Sequence, residues 1–424
     1  MASYPDSLDV VIVGGSLAGL FAGVVLKTVP SVASITILER YEIDQLQDLG
    51  AGIRTGSEAN DAILKFTGQP PEKYAAFVDA YRFISTNGGV SADQPTISWT
   101  STWGQLYRVL RQSFDADSRC KYRHGCTLSG LTEQVSSSTV VEFQNEQGKP
   151  EILNANVVIG ADGASSKVRS LMLPESKRSS VGYVVYRGLV PMEELSENLA
   201  KTYEKAGTFH WSPKSQLVSY VVPSNETEAD QAKRMVNWVW YQHRTDEAIE
   251  RLLTDKSGKR HRFSLPAGGM DPNEIASIKE KATKELPAMH TELIGRTEEP
   301  FVQVVTDSLA GSNLFFDGKL LLVGDAVGGQ RPHTASALTQ CAFHAVVTKN
   351  LLEGRIDQDQ WAQETRGLSS LLVDNGKELG EVCMNDEPES IKTPEYFQMF
   401  LKNLKQVNTM WRSGAGMETE VPPM

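Results

Sequence analysis

The sequence predicts a protein of the α/β class, in which a second, sheet-rich layer interrupts a parallel sheet and a helical C-terminal region follows. Residues 9–38 read strand, glycine-rich turn, helix, strand, and two later strands, at 155–160 and 318–323, each run into Gly and Asp. Between those two strands, residues 183–265 contain many short strand-like stretches. Such a pattern predicts a parallel, Rossmann-like sheet with an inserted β-rich layer.

The first segment, DVVIVGGSLAGL at 9–20, ends a compact apolar strand in a glycine-rich turn. In a dinucleotide fold the first glycine permits the tight turn, the second lets the backbone approach the pyrophosphate, and the third lets helix and strand pack closely. Ser16, the smallest residue with a hydrogen-bonding group, replaces the second glycine. Glu39 ends the next strand 20 residues after Gly19, where a carboxylate accepts hydrogen bonds from a ribose. We predict a dinucleotide site, with a βα turn that binds no ligand as the alternative. Its candidate residues are Gly14, Gly15, Ser16, Leu17, Ala18, Gly19, Glu39 and Arg40.

The rest of the chain divides into a β-rich and a helical part. The stretches GYVVYRGLV, QLVSYVVP and MVNWVWYQ lie within 182–242 and read as strands of the inserted layer. Residues 272–296 have a charged helical pattern, and the chain is mainly helical after Ala342. We expect the tail at 413–424 to be poorly ordered.

Composition narrows the functional classes. The 424-residue chain is long enough for two or three domains, and its net charge of −11 argues against nucleic-acid binding, which needs a basic face. The N-terminus has no basic leader and no apolar stretch is long enough to span a bilayer, so we expect a cytoplasmic monomer or homodimer without a membrane span. Four cysteines without CxxC spacing predict free thiols and no metal site.

Two later motifs specify the cofactor. Residues 160–169 read GADGASSKVR, and 324–326 read GDA with Pro332 following. A plain NAD dehydrogenase needs neither, whereas their order and spacing match the second and third fingerprints of flavoprotein aromatic hydroxylases. Over roughly residues 8–350 the sequence therefore resembles the class A flavin-dependent monooxygenases of the p-hydroxybenzoate hydroxylase fold. The resemblance implies that all three motifs bind FAD, and it adds Asp162, Gly324, Asp325, Pro332 and Leu338 to the cofactor residues.

The resemblance also implies a division of the chain. An FAD-binding domain would occupy three segments, 1–80, 101–182 and 299–350, and a substrate domain two, 81–100 and 183–298. A helical C-terminal region with a flexible tail would take up 351–424. In this scheme Asp325 accepts from ribityl hydroxyls, while Asp162 is partly structural, with the capping of a turn as its bland alternative.

Several stretches suggest a branch within the family. The variants GGSLAGL at 14–20, YRGLV at 186–190 and NWVWY at 237–241 resemble the 2,6-dihydroxypyridine 3-hydroxylases and their fungal relatives. The family has an arginine that reaches the pyrophosphate in a segment resembling WGQLYRVLR at 103–111, yet Trp103 stands at the aligned position. Arg108 and Arg111 are the candidates to replace it, and we assign Arg108 to the cofactor.

In this family NADH or NADPH reduces FAD, and the reduced flavin reacts with O2 to a C4a-hydroperoxide that transfers OH to an electron-rich ring. His333, which follows the Gly-Asp strand, is the first catalytic candidate because an imidazole there can deprotonate a ring hydroxyl; ordering of the loop is the alternative. The other catalytic candidates are His210 and Tyr241. Residues expected to contact substrate are Arg187, Tyr220, Trp238 and Pro332, although aromatic residues on half-buried strands are otherwise core.

Two other functions compete with this prediction. A flavin-dependent halogenase shares the glycine loop, and WVW at 238–240 resembles its W-x-W-x-I-P motif, but Tyr241 and Gln242 replace the Ile-Pro end. A non-catalytic flavin- or nucleotide-binding redox sensor is the alternative from a different class. We predict an FAD-dependent hydroxylase that uses NADH or NADPH and O2 on a small phenolic or hydroxylated N-heteroaromatic substrate.

Overall fold

The computed structural model describes residues 4–42, 52–134, 138–224, 233–265 and 267–416. The strands are β1 (Leu8–Val13), β2 (Val32–Leu38), β3 (Gly52–Thr55), β4 (Ala76–Ile84), β5 (Val90–Thr102), β6 (Cys120–Arg123), β7 (Thr127–Glu133), β8 (Thr139–Gln144), β9 (Pro150–Ala155), β10 (Val157–Gly160), β11 (Ser179–Pro191), β12 (Ala206–Ser212), β13 (Ser215–Pro223), β14 (Arg234–His243), β15 (Ser264–Leu265), β16 (Phe301–Leu309), β17 (Leu314–Phe315), β18 (Leu320–Leu322) and β19 (Gly328–Gly329).

The helices are α1 (Leu17–Leu26), α2 (Ser57–Thr67), α3 (Trp103–Asp115), α4 (Lys167–Met172), α5 (Glu197–Tyr203), α6 (Asp246–Leu252), α7 (Pro272–Glu285), α8 (Ala288–Arg296), α9 (Ala337–Leu352), α10 (Gln358–Met384) and α11 (Glu389–Met410). Short 3-10 turns lie at Pro71–Lys73, Met192–Glu194, Gly324–Ala326 and Pro332–Thr334, and a π-helical turn at Trp411–Ala415. In the described part of the chain, no helix combines the length and the apolar character needed to cross a membrane.

The first sheet, which we call the nucleotide sheet, has six strands in the order β17-β18-β10-β1-β2-β6. Strand β1 runs parallel to β2 and β10, and β10 runs parallel to β18. Helices α1 and α9 pack with apolar residues of β1 in one buried core, which explains the nearly continuous hydrophobic character of both elements. Because parallel strands end at the same edge, the loops after β1, β10 and β18 meet there. The three sequence motifs occupy those loops.

The second sheet, which we call the wide sheet, has the order β15-β16-β11-β14-β13-β12-β4-β5-β3, with β19 paired to β16. Successive side chains of a strand point to opposite faces. Alternate residues of β14, among them Trp238 and Trp240, pack against α7 and α8 on one face. Val239 and Tyr241 belong to a different core on the other face, which includes residues of α10 and α11. The wide sheet therefore has one face covered by α7 and α8, which we call the helix-covered face, and an opposite face that packs against α10 and α11.

The α/β fold class is confirmed, and the predicted elements deviate in detail. The pattern at 272–296 forms two helices, α7 and α8, because Pro287 lacks an amide hydrogen and disfavours helical geometry before it. Strand β16 pairs with β11 of the wide sheet, although the predicted third FAD-binding segment begins at 299. Strand β4 starts at Ala76, ahead of the predicted boundary at 81. The segment boundaries stay a prediction, and residues 417–424 of the predicted flexible tail lie outside the described residues.

Candidate active site

The first loop turns sharply where β1 ends. Gly14 has a φ of 102°, and a Cβ there would lie 2.5 Å from the carbonyl oxygen of Ala161, so the turn requires glycine. A Cβ on Gly19 would lie 1.9 Å from the Gly14 carbonyl oxygen, which explains the close approach of α1 to the strand. Residues 16–18, at the start of α1, line a cavity. The fingerprint thus forms the geometry that its spacing predicts, with serine in the middle position.

Glu39 fixes this loop through hydrogen bonds to backbone amides. One carboxylate oxygen accepts from the Gly15 amide at 2.8 Å and the other from the Tyr41 amide at 3.0 Å. The side chain is buried, and the predicted contact with a ribose stays a prediction. Arg40, next along the chain, is exposed and lines the cavity.

The second motif is shaped by Asp162. Its carboxylate accepts from the amides of Lys167 and Val168 at 2.6 and 3.1 Å and from the Ser166 hydroxyl at 2.5 Å. These bonds cap the start of α4, and burial raises the pKa of the carboxyl group despite them. Asp162 therefore has the structural role that the sequence allowed, while its side of the loop also lines the cavity.

The third motif lies beside the first. Gly324 has a φ of 59°, and a Cβ there would lie 2.7 Å from the Cβ of Ala18. Arg169 links the second and third motifs by donating to the carbonyl oxygens of Ala164 and Ala326 at 2.5 and 2.9 Å. The half-buried carboxylate of Asp325 lines the cavity, and burial raises its pKa against the opposing charges of Arg178 and Arg169. Pro332 and Leu338 continue the lining.

One cavity of about 590 Å³ connects these loops to the wide sheet. A site of this size is typical of small-molecule and cofactor pockets. Its far wall consists mainly of aromatic side chains from β4, β12, β13, β14 and α11, namely Tyr81, Phe209, Tyr220, Tyr241, Tyr396 and Phe400. The arrangement brings a nucleotide loop and an aromatic chamber into one continuous space.

Two arginines give the aromatic end a positive charge. Arg187 of β11 and Arg54 of β3 both line the cavity, and each has a buried Nε without a hydrogen-bond partner among the described residues. Burial raises the pKa of Tyr220 to about 12, and the charge of Arg187 opposes that shift. Asp162 and Asp325, the carboxylates of the lining, both belong to the motif loops. The wall therefore favours an anionic aromatic ligand.

His333 lies at the junction of the two ends. Its Nδ1 is 3.0 Å from the Gln216 carbonyl oxygen and its Nε2 is 3.1 Å from the Tyr183 hydroxyl. An amide oxygen only accepts, so Nδ1 carries the proton and Nε2 accepts from Tyr183. Burial, with a smaller effect of Arg331, lowers the pKa of His333 to about 3. The ring also stacks on Tyr241, with centroids 4.2 Å apart. His333 is thus a neutral imidazole with a hydrogen-bond partner at each ring nitrogen, rather than a base that is free to accept a proton.

The substrate contacts predicted for His210 and Trp238 stay a prediction, and the position of both residues does not favour them. Strand alternation turns both residues to the helix-covered face of the wide sheet, and neither lines the cavity. His210 is fully buried, with Nδ1 2.8 Å from the Ile84 carbonyl oxygen, and Trp238 donates to the Thr297 hydroxyl at 2.8 Å. Their neighbours in the strands, one position away, form the wall instead.

The assignment of Arg108 to the cofactor likewise stays a prediction that its position does not favour. Arg108 lies on α3 outside the cavity lining and donates to Gln105 Oε1 at 2.9 Å. Arg111, one turn later, binds Asp115 and stacks on the ring of Tyr122. Trp103, which occupies the aligned arginine position, lines the cavity itself.

Sequence reasoning missed Arg54, Gln216 and Tyr183. Arg54 lies on a strand of four residues that carries no motif. Tyr183 and Gln216 become neighbours of His333 only because β11 and β13 both pair with β14. Their separation along the chain leaves no local signal.

Comparison with known proteins agrees with this geometry. Residues 180–307 match a family described as FAD binding domain-like. The chain is 27% identical to 2,6-dihydroxypyridine 3-monooxygenase of Paenarthrobacter nicotinovorans, with 82% of this chain and 84% of the relative covered. It is 25% identical to 3-hydroxybenzoate 6-hydroxylase of Polaromonas naphthalenivorans, over 53% of this chain and 56% of the relative.

A solved structure, that of 2,6-dihydroxypyridine-3-hydroxylase from Arthrobacter nicotinovorans, superposes with a TM-score of 0.80 at 23% identity, covering 90% of this chain and 94% of that one. This match establishes the shared fold. Together with the sequence relatives it confirms the resemblance that the three motifs predicted. The chain is therefore related, in sequence and in fold, to the FAD-dependent aromatic hydroxylases.

Proposed function

We propose that this chain is an FAD-dependent monooxygenase that uses NAD(P)H and O2 to hydroxylate a small, ionisable phenolic or hydroxylated N-heteroaromatic ring. The observation that carries the proposal is one continuous cavity that runs from the three motif loops to an aromatic wall, where two arginine Nε groups have no hydrogen-bond partner among the described residues. A dinucleotide-binding domain alone needs no such second chamber.

The residues present fit FAD. Gly14 and Gly324 keep the backbone bare where a Cβ would collide, and the start of α1 faces the cavity, where its amides suit a diphosphate. Asp325 Oδ1 accepts a long hydrogen bond of 3.4 Å from Gln340 Nε2, and the carboxylate keeps further capacity to accept from ribityl hydroxyls. When bound and reduced by NAD(P)H, FAD supplies the activation of O2.

Arg187 and Arg54 orient the ring and favour its ionised form. A phenolate is a better nucleophile than the phenol, and a nearby cation stabilises it by lowering the pKa of the bound hydroxyl. His333 is a poor base for that proton, because both of its ring nitrogens have hydrogen-bond partners and burial lowers its pKa to about 3. We therefore assign ionisation of the substrate to the charge of the wall and assign His333 to ordering the junction of the cavity.

The aromatic wall excludes water and restricts the ring to the plane that the cavity allows. Tyr241 stacks on His333, and burial strongly raises the pKa of its hydroxyl, so this phenol stays protonated and can donate to the substrate. The two relatives named above are described as acting on 2,6-dihydroxypyridine and on 3-hydroxybenzoate. Both compounds are small rings with ionisable hydroxyl groups, in keeping with this wall.

The test is to purify the protein, record its flavin absorbance, and measure NAD(P)H oxidation with hydroxypyridines and hydroxybenzoates while following product mass. Ring-dependent oxidation with a hydroxylated product supports the proposal. A flavin-containing protein that oxidises NAD(P)H without altering any ring would favour the redox sensor, and chlorinated or brominated products would favour the halogenase. The proposal also includes either NADH or NADPH as the reductant, a cytoplasmic location, and a monomer or homodimer as the oligomeric state.

A further inference from the structure

The serine of the first loop makes an unusual bond. Ser16 is the N-cap residue of α1, with φ of −79° and ψ of −164°, yet its side chain does not cap the helix. Instead its Oγ accepts a hydrogen bond of 3.0 Å from the indole Nε1 of Trp103. An N-cap serine ordinarily accepts from an amide of the first helical turn, which satisfies one of the groups that lack a partner inside the helix. Here the first-turn amides do not receive that partner.

This bond has two consequences for a ligand at the loop. The amides at the start of α1 keep their capacity to bind an anion, because the Ser16 hydroxyl does not cap them. The hydroxyl of Ser16, which accepts from Trp103, still has its own hydrogen to donate. Residues 16–18 and Trp103 all line the cavity, so both sets of donors face the same space.

Trp103 is itself held in place. It is the first residue of α3, and its ring stacks on Tyr107 with centroids 4.8 Å apart and an angle of 21° between the planes. Arg111 Nη1 donates to the Tyr107 hydroxyl at 3.2 Å, and Arg111 is in turn bound to Asp115. The indole N–H is therefore aimed at Ser16 by a stack that does not depend on any ligand.

We propose that Trp103 is a positioning residue for the dinucleotide: it holds the Ser16 hydroxyl off the α1 N-terminus, so that the amides and the hydroxyl bind the FAD diphosphate together. In this way two neutral residues, Ser16 and Trp103, take the place of the arginine that the family uses to reach the pyrophosphate. The inference rests on the FAD site of the proposed function and is independent of hydroxylation.

The test measures the Kd of FAD for the apoprotein by quenching of flavin fluorescence. Trp103→Phe keeps the stack on Tyr107 and removes the donor, Ser16→Gly removes the hydroxyl, and the double variant closes the cycle. Trp99→Phe is the matched control, since Trp99 packs against Phe77 and does not line the cavity. The thermal midpoint of each apoprotein reports on folding.

We expect Trp103→Phe to weaken FAD binding about fivefold, as for the loss of one net hydrogen bond, while Trp99→Phe leaves the Kd unchanged. The double variant should bind FAD no more weakly than Trp103→Phe alone, because Trp103 acts through Ser16 and the freed serine otherwise caps its own helix. If Trp103→Phe lowers the thermal midpoint, the same hydrogen bond is tested with Ser16→Ala, which removes the accepting hydroxyl and leaves Trp103 in place. Effects that multiply in the double variant would overturn the inference, as would a Kd for Trp103→Phe equal to that of the wild type.

The outcomes separate the two proposals. A wild-type apoprotein that binds no FAD would overturn this inference together with the cofactor of the proposed function. Tight FAD binding with the expected cycle, in a protein that hydroxylates no ring, would support the inference and overturn the proposed hydroxylase.

Discussion

Replacement of Arg187 is the most informative change to the aromatic wall. Arg187→Met keeps most of the side-chain volume and removes the charge. The cavity offers no compensating rearrangement of ion pairs, because the buried Nε has no partner among the described residues. A hydrogen bond to a charged group contributes about 1.5–3 kcal/mol. At 1.4 kcal/mol per factor of ten, the Kd of an anionic ring should rise by roughly 10- to 150-fold.

The assay compares two ligands that differ in charge. Hydroxybenzoate and hydroxybenzamide are titrated into the FAD-loaded protein, and the change in flavin absorbance gives each Kd. We expect Arg187→Met to weaken the benzoate and to leave the benzamide within about threefold, since the lost energy is electrostatic. Arg82→Met is the control, because Arg82 of β4 forms an ion pair with Asp93 of β5 and does not line the cavity. Equal losses for both ligands, or none for either, would refute the assignment of Arg187 to an anion.

Three further predictions concern His333, Gly14 and Trp238. Burial lowers the pKa of His333 to about 3 from 6.5, so the unfolded chain takes up a proton that the native state refuses, and stability falls as the pH drops below 6.5. Between pH 6.5 and 5.5 urea titrations should show about 1 kcal/mol more loss for the wild type than for His333→Gln, and equal losses would contradict the buried neutral imidazole. Gly14→Ala should lower the thermal midpoint and abolish FAD retention through collision with Ala161, whereas Gly163→Ala, with φ of 78° and nothing within 4 Å, should cost only about 1 kcal/mol of strain. A smaller effect at Gly14 than at Gly163 would argue against the close approach. Trp238→Phe should lower the free energy of unfolding by about 1–3 kcal/mol and leave the Kd of a ring ligand unchanged. Weaker binding of the ring would show that Trp238 contacts the ligand after all.

The nucleotide half of the molecule could be predicted from the sequence because its signals are local. Each motif joins a strand end to the next turn within a few residues, and parallel pairing brings all three to one edge. Gly14 and Gly324 show why such motifs are informative: a Cβ would collide with the Ala161 backbone at Gly14 and with Ala18 of α1 at Gly324. The shape of these loops therefore follows from spacing alone.

The substrate half was only partly predictable because its geometry is non-local. The sequence marked β14 as a strand, but the phase of the strand decides which residues reach the ligand, so that Tyr241 lines the cavity and Trp238 does not. His333 was singled out as a base on its position, whereas its bonds to Tyr183 and Gln216 come from distant strands. Burial, which sets its pKa, is likewise a property of the folded chain.

The departure at Trp103 illustrates the same limit. The sequence has Trp103 where the family has an arginine, and the next arginines on α3, Arg108 and Arg111, were the candidates to replace it. Helical geometry directs Arg108 towards Gln105 and Arg111 towards Asp115. The residue at the aligned position, Trp103, itself bonds to Ser16, which replaces the second glycine of the fingerprint.

The measurement that tests the account most directly is the fate of isotopically labelled O2 in a reaction with purified protein, FAD, NAD(P)H and a hydroxylated ring. We predict that one labelled oxygen atom enters the ring product for each NAD(P)H oxidised, and that Arg187→Met lowers this yield for anionic rings. Oxidation of NAD(P)H that gives only hydrogen peroxide, with every ring recovered unlabelled, would contradict the central claim.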